Sequence, residues 1–516
     1  MSMSKPPKCM GWLLILAVGF LMCAVHSATS GAASAESFAT NDPIRISIFS
    51  DELDDDFFGD DSDPSKDMDL DDGFFEENSD LIDIDLSSTL AETPASEPAF
   101  HTKGSIKAGV TGNFSHTSPE QPPFPDHQGL SSLSTEADLE FKKRFDSRFD
   151  IVVSGTARYD TIFDIRDHNG FTRAYESEFR REARIEKAFA WFQVSDSLDL
   201  KLGRQIVVWG KSDNIRVTDV LNPLNMTLPG LTDIKDLREP VFMSRLDYYY
   251  RDWTISAVLL PENMPNQLPP FGSEFYAFPS ALQENEVSSW AMDTLGAGVS
   301  LSRTVGAIDF ASYLASLYDR QPFINIHDSA GGQVPYFDYI RVQMIGTAMN
   351  LVKGNVLYKS EIAYFNGIQL SASSVTDTSG RVIWKQPHGS YSRVDLLIGL
   401  EYSGFKNTDL SYEVCDRHYL DLDHAARACG INNHTVQHAL RFSRHFINET
   451  LELSLLASFY GKMADDGGFL RLKAEYDWSD SIQVDGGVIF YESGSQPLLR
   501  QAGDNDKLFF SLTYSF

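Results

Sequence analysis

From Gly104 to the C-terminus, apolar and polar residues alternate with a period of two, in runs of roughly ten residues. The runs fall at 104–116, 133–144, 147–162, 178–194, 197–208, 242–250, 253–261, 290–303, 306–319, 335–351, 354–368, 390–403, 406–414, 436–448, 450–459, 468–478, 480–492 and 505–516. Each is bounded by Gly, Asn, Asp, Ser or Pro, the residues that end strands. The pattern predicts eighteen β-strands, an even number, as closed bacterial barrels require.

The connections alternate as strictly as the side chains. Every second one is tiny: 145–146, 195–196, 251–252, 304–305, 352–353, 404–405, 449 and 479. The nine between them are long: 117–132, 163–177, 209–241, 262–289, 320–334, 369–389, 415–435, 460–467 and 493–504. Short turns on one rim and long loops on the other are the signature of a transmembrane barrel, with the turns in the periplasm. A sandwich or propeller gives no reason for such alternation.

The faces of the strands agree. Leu470, Leu472, Ala474, Tyr476 and Trp478 oppose Arg471, Lys473, Glu475 and Asp477, and Val394, Leu396, Ile398 and Leu400 oppose Arg393, Asp395 and Glu401. Charges facing lipid cost about 2–4 kcal/mol each near the midplane, so these predict a wet interior. Tyr248, Tyr249, Tyr250, Trp253, Trp191, Trp478 and Phe516 cluster near strand ends, as expected of aromatic girdles at the membrane interfaces. In the last strand Leu508, Phe510, Leu512, Tyr514 and Phe516 share one face. The terminal Phe516 resembles the aromatic residue by which outer-membrane proteins are recognised for assembly, which makes the barrel-assembly machinery an expected partner.

Charge divides the chain. The formal net charge is -30, and between Asp51 and Asp85 there are 17 acidic residues against one basic residue, Lys66. Residues 36–100 therefore read as an acidic, disordered periplasmic segment, able to dock a periplasmic partner or to enter the lumen. Asp67, Asp69 and Asp71 alternate like a calcium loop, but Asp72 stands where such a loop needs Gly and Asn78 where it needs Glu. Lys5 and Lys8, the apolar run from Trp12 to Val25 and the Ala33-Ser34-Ala35 step predict a signal peptide over 1–35. No run is long enough for a membrane-spanning helix. The fold class expected is thus all-β, a closed antiparallel transmembrane β-barrel of about eighteen strands over 101–516, placed in the bacterial outer membrane with lipid as its surrounding partner.

An eighteen-stranded barrel is wide enough for an aqueous channel unless something fills it. The third long connection carries Trp209, Lys211, Asp213, Arg216, Asp219, Lys235, Asp236, Arg238 and Glu239, a mixture of both signs with apolar residues. It is expected to fold inward as a constriction, an external flap being the alternative. Arg180, Arg184, Arg245, Asp247, Arg341, Arg393, Arg441, Arg471 and Lys473 are the wall residues expected to face the lumen. For any single one, a filler salt bridge is the plainer role.

Leu200 to Asn225, "LKLGRQIVVWGKSDNIRVTDVLNPLN", followed by Ser244 to Trp253, "SRLDYYYRDW", resembles the outer-membrane family known as domain of unknown function 1302. The Gly203-Arg204-Gln205 step is also similar to one found in porins. The resemblance implies an outer-membrane protein handling lipidic or hydrophobic compounds and supplies no catalytic residues. Arg204 shares the parity of Leu202, so either a bulge intervenes or Arg204 does not face the lumen.

Cys415 and Cys429 flank the seventh long connection, and an oxidising compartment predicts a disulfide between them. His418, His424 and His434 lie nearby, but their spacing fits no zinc module. No metal or cofactor is expected, no nucleic-acid partner, and, without a Gly-x-Ser-x-Gly elbow, no enzyme. The expected function is a porin-like channel or transporter passing small or hydrophobic solutes through a polar lumen narrowed by the third loop. A component of an export or lipid-transport system, docking its partner through the acidic tail, is the alternative.

Overall fold

The computed structural model describes residues 100–116, 125–166, 170–329, 332–376, 382–387, 389–462 and 464–516. The signal peptide, the acidic segment and its calcium-like stretch lie outside the described residues.

Eighteen strands form the wall. They are β1 (Phe100–Asn113), β2 (Gly129–Asp146), β3 (Phe149–Asp160), β4 (Arg181–Ser195), β5 (Leu198–Gln205) and β6 (Val241–Tyr250). Next come β7 (Trp253–Leu260), β8 (Gly296–Val305), β9 (Ile308–Tyr318), β10 (Arg341–Lys353), β11 (Val356–Ile368) and β12 (Tyr391–Phe405). The last six are β13 (Thr408–Leu420), β14 (His434–Phe446), β15 (Leu451–Tyr460), β16 (Gly468–Ser479), β17 (Ile482–Glu492) and β18 (Lys507–Ser515). Each pairs antiparallel with the next, and β18 returns to β1 from Ser105 opposite Ser515 to Asn113 opposite Lys507. Closure removes the open edges that a sheet would otherwise present to lipid. The fold is a closed, antiparallel, eighteen-stranded β-barrel.

All eighteen predicted runs overlap these strands, but three turns sit two residues later than expected, at 306–307, 354–355 and 406–407. Gly306, Gly354 and Asn407 take positive φ there, the conformation that a two-residue hairpin needs. The predicted run 335–351 splits: Gly332–Asp338 pairs with Phe323–Ser329 in a separate external hairpin, and β10 starts only at Arg341.

Outside, an apolar belt includes Leu139, Ile185, Leu246, Leu301, Leu314, Ile345, Ile362, Ile398, Leu453, Leu472 and Phe510, all exposed. In water such a surface would be costly; against acyl chains it is solvated. At the short-turn rim Phe145, Phe149 and Phe192 stack in sequence, with centroids 4.9 and 4.7 Å apart. Phe516 is 57% exposed, and its backbone N–H and C=O both pair with Gly104 at 2.9 Å.

Trp191, expected in the girdle, faces inward instead. Opposite Ser154 and Gly155 the register of β4 skips Glu186, so a bulge reverses the inward parity from Glu182 and Arg184 to Lys187, Phe189 and Trp191.

Candidate functional site

The third long connection, 206–240, enters the barrel and crosses it. Its first half descends along β9 to β13. Lys211 pairs with Asp309, the second residue of β9 above its short turn, and Asp213 pairs with Lys359 of β11, which also holds Glu401 at 2.7 Å. β13 lies eight strands from β5, close to diametrically opposite. The second half rises to β16 and β17: Arg471 donates to the carbonyls of Gly230 at 3.1 Å and Leu231 at 3.0 Å and pairs with Asp233, while Tyr491 donates to Pro229 O at 2.6 Å.

Two wall carboxylates hold the descending half. Glu361 accepts the backbone N–H groups of Lys211 (2.6 Å), Ser212 (2.8 Å) and Thr218 (3.0 Å). Glu413 accepts those of Asp213 (2.9 Å), Asn214 (3.0 Å) and Ile215 (3.0 Å). A loop buried away from water must have its amides satisfied by something, and an ionised carboxylate is a strong acceptor. Gly210 is required at this point: its φ is +90°, and a Cβ would come within 2.7 Å of the Glu361 carboxylate.

Between these anchors the loop packs as a hydrophobic core. Val207, Ile215, Val217 and Leu221 bury against Val342, Met344, Phe365, Leu397, Cys415 and Ala439 of the wall. Trp209 stacks on Tyr313 with centroids 4.9 Å apart and lies over Gly298, where a Cβ would meet the ring at 2.6 Å. Each fully buried large side chain contributes about 1.5–3 kcal/mol. The interior is therefore not wet throughout, as the strand faces alone suggested: from β6 to β14 much of it is a dry core.

The polar side lies on β1 to β5. Lys107, Glu136, Arg158 and Glu182 face one another across four adjacent strands in register, alternating in sign. Arg184 pairs with Glu182 at 3.1 Å, with Glu186, and with Glu239 of the loop at 2.8 Å. Burial and the neighbouring Glu186 and Glu182 raise the Glu239 carboxyl above its ordinary value, against the pull of Arg184. Asp233 goes the other way, because Arg471 and Arg441 overcome the effect of burial.

A second connection, 261–295, spans the long-loop mouth. It bonds the third loop through Leu224 N–H to Asn266 Oδ1 at 2.8 Å and Met226 N–H to Gln267 O at 2.8 Å. Farther on, Glu274 pairs with Lys507 of β18, both side chains almost wholly buried, and His127 of the first loop bonds Gly272 O at 2.9 Å.

Most of the predicted lumenal residues lie inside. Trp209, Lys211, Asp213, Glu239, Arg184, Arg471 and Lys473 do, as do Arg216 and Arg238, which both pair with Asp219 at 3.0 and 2.8 Å. Arg245 pairs with Asp247 at 2.9 Å and Arg393 with Asp395 at 2.6 Å, and Arg441 shares the inward parity of Ala439 and Ser443. Lys235 and Asp236 are exposed on the third loop.

Two wall assignments are corrected. Arg180 caps a short helix, Arg173–Phe179, and pairs with Glu176 and Asp164 of the second loop. Arg341 has the outward parity of Ile345 and caps the carbonyls of Asp293 and Leu295 at the rim, 2.8 and 2.9 Å away. Arg204 also points outward, with no bulge between it and Leu202, and pairs with Glu262 at 3.0 Å.

The predicted disulfide is corrected too: both thiols are free. Cys415 falls inside β13, buried between Leu397 and Gln437, five residues or about 17 Å below the strand end. Cys429 ends a loop helix beside Lys385 O, 3.3 Å away, and a disulfide needs Cα atoms within about 7 Å. His418 and His434 stack at 4.1 Å on paired strands, and His434 bonds Asp416 at 2.9 Å.

A closed wall with an apolar belt outside and an inward third loop defines a porin-like barrel. Residues 128–516 match the family described as protein of unknown function DUF1302, and the chain belongs to that family. Among curated proteins, none matches the chain significantly. Among solved structures it is similar to OccK8 (OprE) of Pseudomonas aeruginosa, at 9% identity and a TM-score of 0.45, covering 81% of this chain and 98% of that one. OccAB2 of Acinetobacter baumannii gives 10% and 0.46, covering 81% and 99%. OmpF of Salmonella typhi, solved in complex with daunomycin, gives 10% and 0.37, covering 81% and 97%.

Proposed function

We propose that this chain is a channel or transporter of the bacterial outer membrane, not an enzyme, and that small or hydrophobic solutes pass between the third loop and the charged wall of β1 to β5. The observation that carries this reading is the grip of Glu361 and Glu413 on the loop: it fills one side of the lumen and leaves partly exposed charges on the other. In this reading residues 1–35 are removed as a signal peptide, and Phe516 presents the barrel to its assembly machinery.

One observation favours a partner for the acidic segment. Phe100, the first described residue, pairs with Lys143, next to His101 opposite Lys142, so the segment joins the barrel at a basic part of the short-turn rim. It would dock a periplasmic component there.

Conductance of refolded residues 36–516 in planar bilayers, beside a variant lacking 36–100, tests both readings. Stepwise currents support the channel, and silence in both forms defeats free diffusion through it. Larger currents after deletion would make the segment a plug; loss of partner binding at unchanged current would make it a dock.

A further inference from the structure

We propose that the inward face around Lys201 binds an organic monoanion, a carboxylate head on an apolar or aromatic body. Trp191, Lys201 and Arg245 lie side by side on β4, β5 and β6, in register and facing the lumen. Phe189 is two residues from Trp191 on the same face, and Lys201 Nζ sits 3.8 Å from its ring centroid.

The charges around Lys201 do not balance. Arg245 has its partner in Asp247 at 2.9 Å, and Lys187 has Glu140 at 3.5 Å. Among the described residues no carboxylate lies within ion-pair distance of Lys201, although Arg245 and Lys187 place two more positive charges near it. Three cations thus meet two carboxylates beside two aromatic rings. An ammonium that is half-buried and unpaired is poorly solvated, and an incoming anion supplies the missing charge.

The rings decide the rest of the ligand. A small inorganic anion would satisfy Lys201 but leave the faces of Phe189 and Trp191 uncovered, whereas an apolar body attached to the anion covers them. The position suits a transit site: the row continues through Val258 to Gly298, the residue beneath Trp209, so the site flanks the descending third loop. This deepens the channel reading by naming a solute class, and it depends on that reading only for access from both sides.

The test is fluorine NMR of 4-fluorobenzoate with the refolded chain in detergent, with neutral 4-fluorobenzamide as the matched control. Line broadening is expected for the carboxylate and not for the amide. Lys201→Met should weaken binding about tenfold, Lys201→Arg should restore it to within about twofold, and Lys406→Gln at an exposed turn should change nothing. Broadening equal for acid and amide, none at millimolar acid, or no effect of Lys201→Met in a protein that still folds would overturn the site. Should Lys201→Met fail to fold, Lys201→Gln and the acid-against-amide comparison still decide. Currents without carboxylate binding would sink the site and spare the channel; binding without current would do the reverse.

Discussion

Thr218 of the third loop donates its hydroxyl to Glu361 of β11 at 2.8 Å, so one wall carboxylate takes a side-chain hydrogen bond as well as three backbone amides. The contact makes the loop part of the barrel interior, not a flap above it.

Replacing Glu361 with Ala strands these donors in a dry core, at about 1–3 kcal/mol for each one left unsatisfied. The descending half should detach, raising conductance and exposing residues 209–218 to added protease. Glu361→Gln, which keeps an acceptor, should lie between. Unchanged current and unchanged proteolysis in Glu361→Ala would show that the apolar packing alone holds the loop.

The mouth should loosen in acid. Burial lowers His127 below its ordinary value, and nearby Glu274 only partly offsets this, so the docked loop favours the neutral ring. Docking then weakens as pH falls below about 6.5. For Glu274, burial is outweighed by Lys507 and His127, which hold the carboxyl at about 2. Its contribution, on the order of 3 kcal/mol, is complete above about pH 4.5 and is lost as pH falls toward 2. Hydrogen exchange of 271–276, corrected for its intrinsic pH dependence, should show both steps. His127→Gln should remove the upper one and Glu274→Gln the lower.

Free thiols predict a simple labelling result. Cys429, half-buried in the seventh loop, should react with a membrane-impermeant maleimide added outside, and Cys415, at 0% exposure, should react only after unfolding. Gel mobility should be the same with and without reductant. Protection of Cys429 that reductant relieves would restore the disulfide.

At the closing seam, a Cβ on Gly104 would lie 2.6 Å from the ring of Phe516. Gly104→Val should therefore displace that ring and slow assembly, read as loss of the heat-modifiable folded band. Deleting Phe516 should lower assembly in cells at least as much.

The wall was legible in the sequence because lipid outside and polar groups inside write a period of two into every strand. Trp191 misled because the bulge at Glu186 reverses parity in mid-strand, which composition does not mark. The two carboxylates that hold the loop were missed. Their only signal is an isolated acid on an otherwise apolar inward face, as Glu361 stands with Ala363 and Phe365, and Glu413 with Cys415. The inward course of the third loop was expected from its mixed composition, but its depth depends on contacts that no local pattern records.

Those contacts join positions far apart in the chain. Lys211 and Glu361 are 150 residues apart, and Asp213 and Glu413 are 200. When β5 and β6 first pair, the carboxylates that satisfy the intervening segment are not yet in place, and that segment stays in water. Long-range contacts form slowly because chain closure precedes their reward. Insertion of the segment is thus a late kinetic event, timed by the arrival of β11 and β13, and an interrupted chain that ends before residue 413 would be left with an emptier barrel wall and a loose strap.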